Sequence, residues 1–96
     1  MAKMKLKLYV IGGSLIARRA IKNLTELCRR EEIAKQCDME IIDLREHEGL
    51  AEREKILATP ILIKEFPPPE RRIIGDLSNM QKILGTLELG GEGHEK

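Results

Sequence analysis

The side chains able to carry chemistry are few and scattered. Cys28 and Cys37 are the two cysteines, with eight residues between them. That spacing matches neither a C-x-x-C dithiol nor a pair of zinc ligands. Nor do two cysteines in 96 residues make the dense disulfide framework of small secreted domains. Cys28 falls on the apolar stripe of an expected helix, where a free cysteine behaves as a small buried hydrophobe. Cys37 falls in a polar turn with no histidine near it, as an incidental surface thiol. His47 and His94 stand alone in charged stretches, so no metal site is expected. Gly12-Gly13-Ser14 could offer backbone N–H groups to an anion, but it lacks the full P-loop or dinucleotide pattern and reads as a strand-to-helix turn. Ser14 and Ser78 read as helix caps rather than nucleophiles. No catalytic set and no cofactor site is expected.

Composition bounds the scaffold that could position these groups. The length allows one domain with one core, which leaves self-association open. That core is built of Leu and Ile, because the chain has one Phe, one Tyr and no Trp. The lack of aromatic platforms argues against a single-strand nucleic-acid binder. Seventeen Lys and Arg nearly cancel sixteen Asp and Glu, so net charge leaves no polyanion footprint. The apolar run after MAKMKLK is too short for a signal peptide, and no segment approaches the ~18 apolar residues of a membrane span. The chain therefore reads as a soluble, cytoplasmic protein.

The periodicity places the elements. Lys5 to Ile11 alternates, then runs apolar to Gly12-Gly13, as a strand entering the core. From Leu15 to about Arg30 the period is helical. Ile16, Ala20, Leu24 and Leu27 form one stripe, widened by Ala17, Ile21 and Cys28, against Arg18, Arg19, Lys22, Glu26, Arg29 and Arg30. Asp38 to Leu44 is a second strand, which completes a βαβ unit with parallel strands. Gly49 to Ala58 is a weaker helix, with Leu50, Ala51, Leu57 and Ala58 as its apolar positions, and Thr59-Pro60 stops it. Ile61 to Phe66 alternates as a strand, Pro67-Pro68-Pro69 is a stiff break, and Arg71 to Leu77 is a short strand. Ser78 and Gln81 form a capping box before a helix carrying Met80, Ile83, Leu84 and Leu87. Residues 1–90 make the single domain, and 91–96 are expected to be a disordered tail.

The order β-α-β-α-β-β-α is that of the thioredoxin-like fold, with Thr59-Pro60-Ile61 where thioredoxins place a cis-proline ahead of a strand. A thioredoxin-like enzyme carries its dithiol at the start of the first helix, where the helix dipole lowers a thiol pKa. Here that place holds Gly13-Ser14-Leu15-Ile16, which excludes dithiol chemistry there. A thiol redox protein or sensor using Cys28 or Cys37 stays as a second reading. A third is a nucleic-acid binder through Arg18, Arg19, Lys22, Arg29 and Arg30, less favoured than no nucleic-acid partner at all. Charge is uneven along the chain: residues 18–30 carry +4 and residues 31–55 carry −5. Such asymmetry suits a protein-binding module. Between Ala58 and Ser78 the prolines and Gly75 interrupt strand-like runs, and local conflict of this kind tends to mark function.

That segment resembles the KaiB family of small circadian-clock proteins. The resemblance rests on Ala58-Thr59-Pro60, Leu62, Lys64, Pro67-Pro68-Pro69 and the string Arg71-Arg72-Ile73-Ile74-Gly75-Asp76-Leu77-Ser78-Asn79, with Leu6-Lys7-Leu8-Tyr9-Val10 and Lys55-Ile56-Leu57 upstream. It implies a non-enzymatic protein that binds a KaiC-like hexameric ATPase and modulates its phosphorylation and output. It also implies a metamorphic chain. The ground state would be a β-α-β-β-α-α-β oligomer, a tetramer or dimer, and the partner-binding state a thioredoxin-like monomer, with the N-terminal βαβ common to both. KaiA and a sensor kinase with a KaiB-like domain are further implied partners; no membrane is. Arg71 and Arg72 are the implied exposed contacts, with Lys55, Lys64 and Arg19 behind them. Pro60, Pro67, Pro68, Pro69, Gly75 and Gly85 are assigned to switching rather than contact. The chain departs from the family pattern in the apolar Gly13-Ser14-Leu15-Ile16 turn, in Ile61, Ile63 and Phe66, and in its short Gly-rich tail. These departures point to a diverged paralogue, with a stress-signalling adaptor outside a clock as the alternative.

Overall fold

Leu6, Leu8 and Val10 alternate with Lys5, Lys7 and Tyr9, and that alternation divides the molecule into two cores. The computed structural model describes residues 4–30 and 37–87. Strand β1 (Met4–Val10) pairs in parallel with β2 (Cys37–Asp43) and antiparallel with β3 (Ile61–Phe66), which pairs antiparallel with β4 (Arg71–Ile74). The sheet order is β2-β1-β3-β4, so β2 and β4 are its edges. Leu6, Leu8, Val10, Leu62 and Ile73 pack on one side with helices α1 (Leu15–Cys28) and α3 (Met80–Leu87). Tyr9, Ile61, Ile63 and Ile42 pack on the other side with Ile56, Leu50 and Ala51, around the short helix α2 (Leu50–Arg53). Because β3 is covered on both faces, its burial does not alternate: Ile61 to Lys64 are all buried. A 3-10 turn at Leu44–Glu46 leads from β2 toward α2.

Helix α1 begins where the sequence places it. The Ser14 hydroxyl accepts a hydrogen bond from the Ala17 N–H at 3.1 Å. Ala17, Ala20, Leu24 and Leu27 are its buried residues. Ile16 is 45% exposed and does not belong to the buried stripe, which its neighbour Ala17 begins instead.

Four other boundaries move. Cys37 is not in a turn: it is the first residue of β2, opposite Met4, and half-buried. The second helix is a single turn, not a stretch to Ala58. Lys55 sits in the left-handed region with φ 57, which ends the helical path. Its core anchor beyond the helix is Ile56, while Leu57 is 97% exposed. The last helix is capped by Asn79 rather than Ser78. Asn79 Oδ1 accepts from the Lys82 N–H at 3.1 Å, and the Ser78 N–H is held by Asp76 Oδ1 at 3.1 Å. Strand β4 stops at Ile74, where Gly75 turns with φ 123 and its N–H donates to the Pro60 carbonyl at 2.9 Å. The peptide bonds before Pro60, Pro67 and Pro69 are cis. His94 and the expected tail lie outside the described residues.

Candidate partner-binding surface

The five cations singled out in the sequence do not form one patch. Arg71 and Arg72 are neighbours on β4, and successive strand residues face opposite sides of a sheet. Ile73 packs into the core beneath α1 and α3, so Arg71 lies on that side, and Arg72 lies on the α2 side with Ile74. Both are exposed. Arg19 is exposed on the outer face of α1.

Lys64 corrects the expectation of an accessible contact. It pairs with Leu6 on one side and Arg71 on the other, and it is 1% exposed. Central strand β3 carries cover on both faces, so even its lysine is enclosed. None of the ion pairs among the described residues includes it. In this fold Lys64 is not a surface residue.

Arg72 and Lys55 are brought together. Arg72 Nη2 donates to the Glu54 carbonyl at 2.9 Å and Nη1 to the Lys55 carbonyl at 3.1 Å, while Nε bonds Glu70 Oε2 at 2.7 Å. The guanidinium thereby ties edge strand β4 to the turn after α2. Around that clamp lie Lys55, Leu57 and Ile74, all exposed. An apolar concavity of about 500 Å³ opens there, lined by Ala51, Glu52, Lys55, Ile56 and Leu57. The surface offers cations, two large exposed aliphatics and a carbonyl-bound arginine, a mixture suited to a protein partner. The sequence did not single out Leu57 and Ile74 as exposed, because each is an apolar residue inside an apolar run.

Nothing at the start of α1 supplies redox chemistry. The Gly12 N–H donates to Asp43 Oδ1 at 3.3 Å, so this turn is occupied by its own neighbour rather than open to an anion. Hydrogen bonds from the Arg45 side chain and backbone N–H, with a lesser one from Gly12, hold the Asp43 carboxyl well below the usual carboxylate range against the opposing effect of desolvation. Among the described residues no group of His, Cys, Asp and Glu could hold a metal ion. No described helix is long and apolar enough to cross a membrane.

The sheet order, the helix placement and the cis-proline ahead of β3 define a thioredoxin-like fold. Solved structures bear this out. The N-terminal domain of SasA from Synechococcus elongatus superposes with a TM-score of 0.72 at 16% identity, covering 92% of this chain and 83% of that one. Mitochondrial thioredoxin 3 from Saccharomyces cerevisiae also gives 0.72, at 14% identity, covering 93% of this chain and 81% of its own.

Within that class the chain belongs to the KaiB family. The family model described as the KaiB domain matches residues 7–89. The chain is 45% identical to circadian clock protein KaiB3 of Synechocystis sp. over 93 residues, 97% of this chain and 90% of that protein. It is 48% identical to the circadian clock oscillator protein KaiB of Thermostichus vulcanus over 84 residues, 88% of this chain and 77% of that protein.

Proposed function

We propose that this chain is a non-enzymatic regulatory protein of a circadian clock, which binds a KaiC-type ATPase ring in the thioredoxin-like state and modulates its phosphorylation and output. The observation that carries the reading is the KaiB-domain match over residues 7–89, with close to half of the residues identical to clock oscillator relatives. The dithiol position at the start of α1 holds Gly13-Ser14-Leu15-Ile16, which supports a binding role over a redox enzyme. The contact surface is the β4 edge and the turn after α2, with Arg72 and Lys55 as cations around Leu57 and Ile74, and Arg71 on the opposite side of the same edge strand. Arg19 contributes from α1. KaiA and a sensor kinase with a KaiB-like domain are the further partners. The likeness to the SasA N-terminal domain supports competition between two domains of one fold for one surface.

The second state in this reading is a β-α-β-β-α-α-β oligomer that keeps the N-terminal βαβ and rebuilds residues after it. Support comes from where the backbone is strained. Among the described residues, the non-glycine residues with positive φ are Lys55 and Leu77, and both lie in the second half. A left-handed non-glycine residue costs about 1–2 kcal/mol, so part of this packing is held against local preference. A switch needs two packings within a few kcal/mol, and a partner that prefers one shifts the balance.

The test is association of the full chain with a purified KaiC-type hexamer, followed by sedimentation or native mass spectrometry, with Arg71→Ala compared after its fold is verified. Expected is a saturable complex weakened about tenfold by the substitution, the effect of an interface hot spot. No association across the concentration range at which relatives are compared side by side would overturn the reading.

A further inference from the structure

The βαβ unit joins two side chains that the sequence keeps apart. Cys28 is the last residue of α1, and Cys37 is the first residue of β2. Helix α1 packs across the face of the sheet that carries both strands of this unit, so its C-terminal end lies over the start of β2. Both thiols pack against the same core cluster, as do Met4, Ile21 and Met39. Both are free and half-buried, and each thiol shifts the titration of the other, so the two face one another.

We propose that Cys28 and Cys37 are a redox modification site, which closes into an intramolecular disulfide when the chain meets a peroxide. The juxtaposition is independent of any partner and of the clock reading. It does not use the start of α1, where a thioredoxin places its dithiol.

The chemistry balances without a cofactor. The Cys28 thiolate attacks one peroxide oxygen, the O–O bond breaks, and Cys28 becomes a sulfenic acid as water leaves. The Cys37 sulfur then attacks the Cys28 sulfur; the S–O bond breaks, a second water leaves, and the S–S bond forms. Two thiols lose two hydrogens and two electrons in all, and one peroxide becomes two waters. A dithiol reductant reverses the bond by exchange.

The order of attack follows from how each thiol shifts the other. Hydrogen-bond donation from Cys37 stabilises the Cys28 thiolate and draws the Cys28 thiol below its ordinary range, against an opposing effect of burial. Giving that hydrogen bond, together with burial and the facing Cys28 charge, pushes the Cys37 thiol up. The thiolate is the nucleophile, so Cys28 reacts first and Cys37 resolves. A disulfide demands close Cα positions and turned-in Cβ vectors, and the return from the end of α1 to the start of β2 against one core is the arrangement that brings the two residues toward that geometry.

The experiment oxidises the full-length protein with hydrogen peroxide, blocks free thiols by alkylation, and reads intact mass and non-reduced tryptic peptides. Expected is one monomeric product without alkyl adducts, two hydrogens lighter, with the peptides of Cys28 and Cys37 linked. It should return to the doubly alkylatable form after a dithiol reductant and should melt roughly 5 °C or more above the reduced protein. Two alkylatable thiols after peroxide, a dimer linked between chains, or over-oxidised cysteines with no linked peptide would overturn the proposal. The single variants test the order. A sulfenic-acid trap should label Cys28 in Cys37→Ser several-fold faster than Cys37 in Cys28→Ser, and the reverse would overturn the assignment of Cys28 as the attacking thiol. Failure to bind a KaiC-type ring would leave these readouts unchanged, so the two readings fail separately.

Discussion

Arg72 on β4 donates from Nη1 to the carbonyl oxygen of Lys55, 3.1 Å away and seventeen residues earlier in the chain. Lys55 is itself in the left-handed region, so its carbonyl is turned toward the edge strand by a conformation that costs energy. The guanidinium offsets part of that cost with a second bond, to Glu54. An arginine that looks like a free contact in the sequence is therefore also what holds the contact surface in shape.

Arg72→Ala should destabilise the protein by about 1–2 kcal/mol, from two charge-assisted bonds to carbonyls that water partly replaces. The exposed pair with Glu70 adds little. For a domain of this size that is a fall in Tm of roughly 4–16 °C. Lys55→Gly should do the opposite, gaining up to about 1 kcal/mol by removing the side-chain penalty at positive φ. Calorimetry of both variants checks the pair; a stability loss in Lys55→Gly equal to that in Arg72→Ala would contradict a strained turn held by a clamp.

Much of the first half was legible because its elements follow one rule each. Leu6, Leu8 and Val10 alternate, Ser14 caps, and Ala17, Ala20, Leu24 and Leu27 recur at helical spacing, so period and cap agree. Where two rules compete, the reading fails. Lys64 is charged, yet it lies on a strand covered on both faces, and burial follows from the sheet order rather than from residue type. Cys37 sits in a polar stretch, but β1 recruits it as the partner of Met4. The Cys28–Cys37 pair could have been anticipated from the βαβ unit alone, since it returns the chain from the end of a helix to the start of a neighbouring strand. The contact surface was half legible. Its cations stand in the matching string, but Leu57 and Ile74 show their exposure only once β3 and β4 have paired.

The two glycines assigned to switching should respond in opposite directions to alanine, although a Cβ at either would meet nothing within 4 Å. Gly85 lies inside α3, and alanine there should strengthen the helix by roughly 1 kcal/mol. In the proposed two-state equilibrium this favours the thioredoxin-like monomer by up to about tenfold. Gly75 has φ 123, which an L side chain rarely adopts, so Gly75→Ala should cost about 1–3 kcal/mol despite the open space. Sedimentation together with NMR of residues 79–87 reads both changes. A larger oligomer fraction in Gly85→Ala would show that the segment is not helix in the monomer alone.

Helix α3 offers a direct test of its cap. Asn79→Ala removes the acceptor for the Lys82 N–H and should cost about 1 kcal/mol. Ser78→Ala should be nearly neutral, because Ser78 contributes its backbone N–H to Asp76, and alanine keeps that group. Chemical denaturation of the two variants separates them; equal losses would restore Ser78 to the capping position.

Tyr9 gives the chain a built-in reporter of folding at alkaline pH. It is the single tyrosine of a chain without tryptophan, so tyrosinate absorbance reads this residue alone. Its ring lies in the second core with Ile42, Ile56, Ile61 and Ile63. Burial, and then the facing Glu54 charge, raise the phenol above its ordinary value, because both disfavour the phenolate. The folded state therefore binds the phenolic proton more tightly than the unfolded chain, whose phenol titrates near ~10. Stability from this group is fully present below that value and is lost as pH rises through the higher folded value. Spectrophotometric titration of the native protein should give a midpoint above the one measured in denaturant. Tyr9→Phe has no proton to lose, so its stability should fall less steeply above pH ~10 than that of the parent. Parallel slopes for the two proteins, or a native midpoint at or below the denatured one, would place the hydroxyl in water rather than in the core.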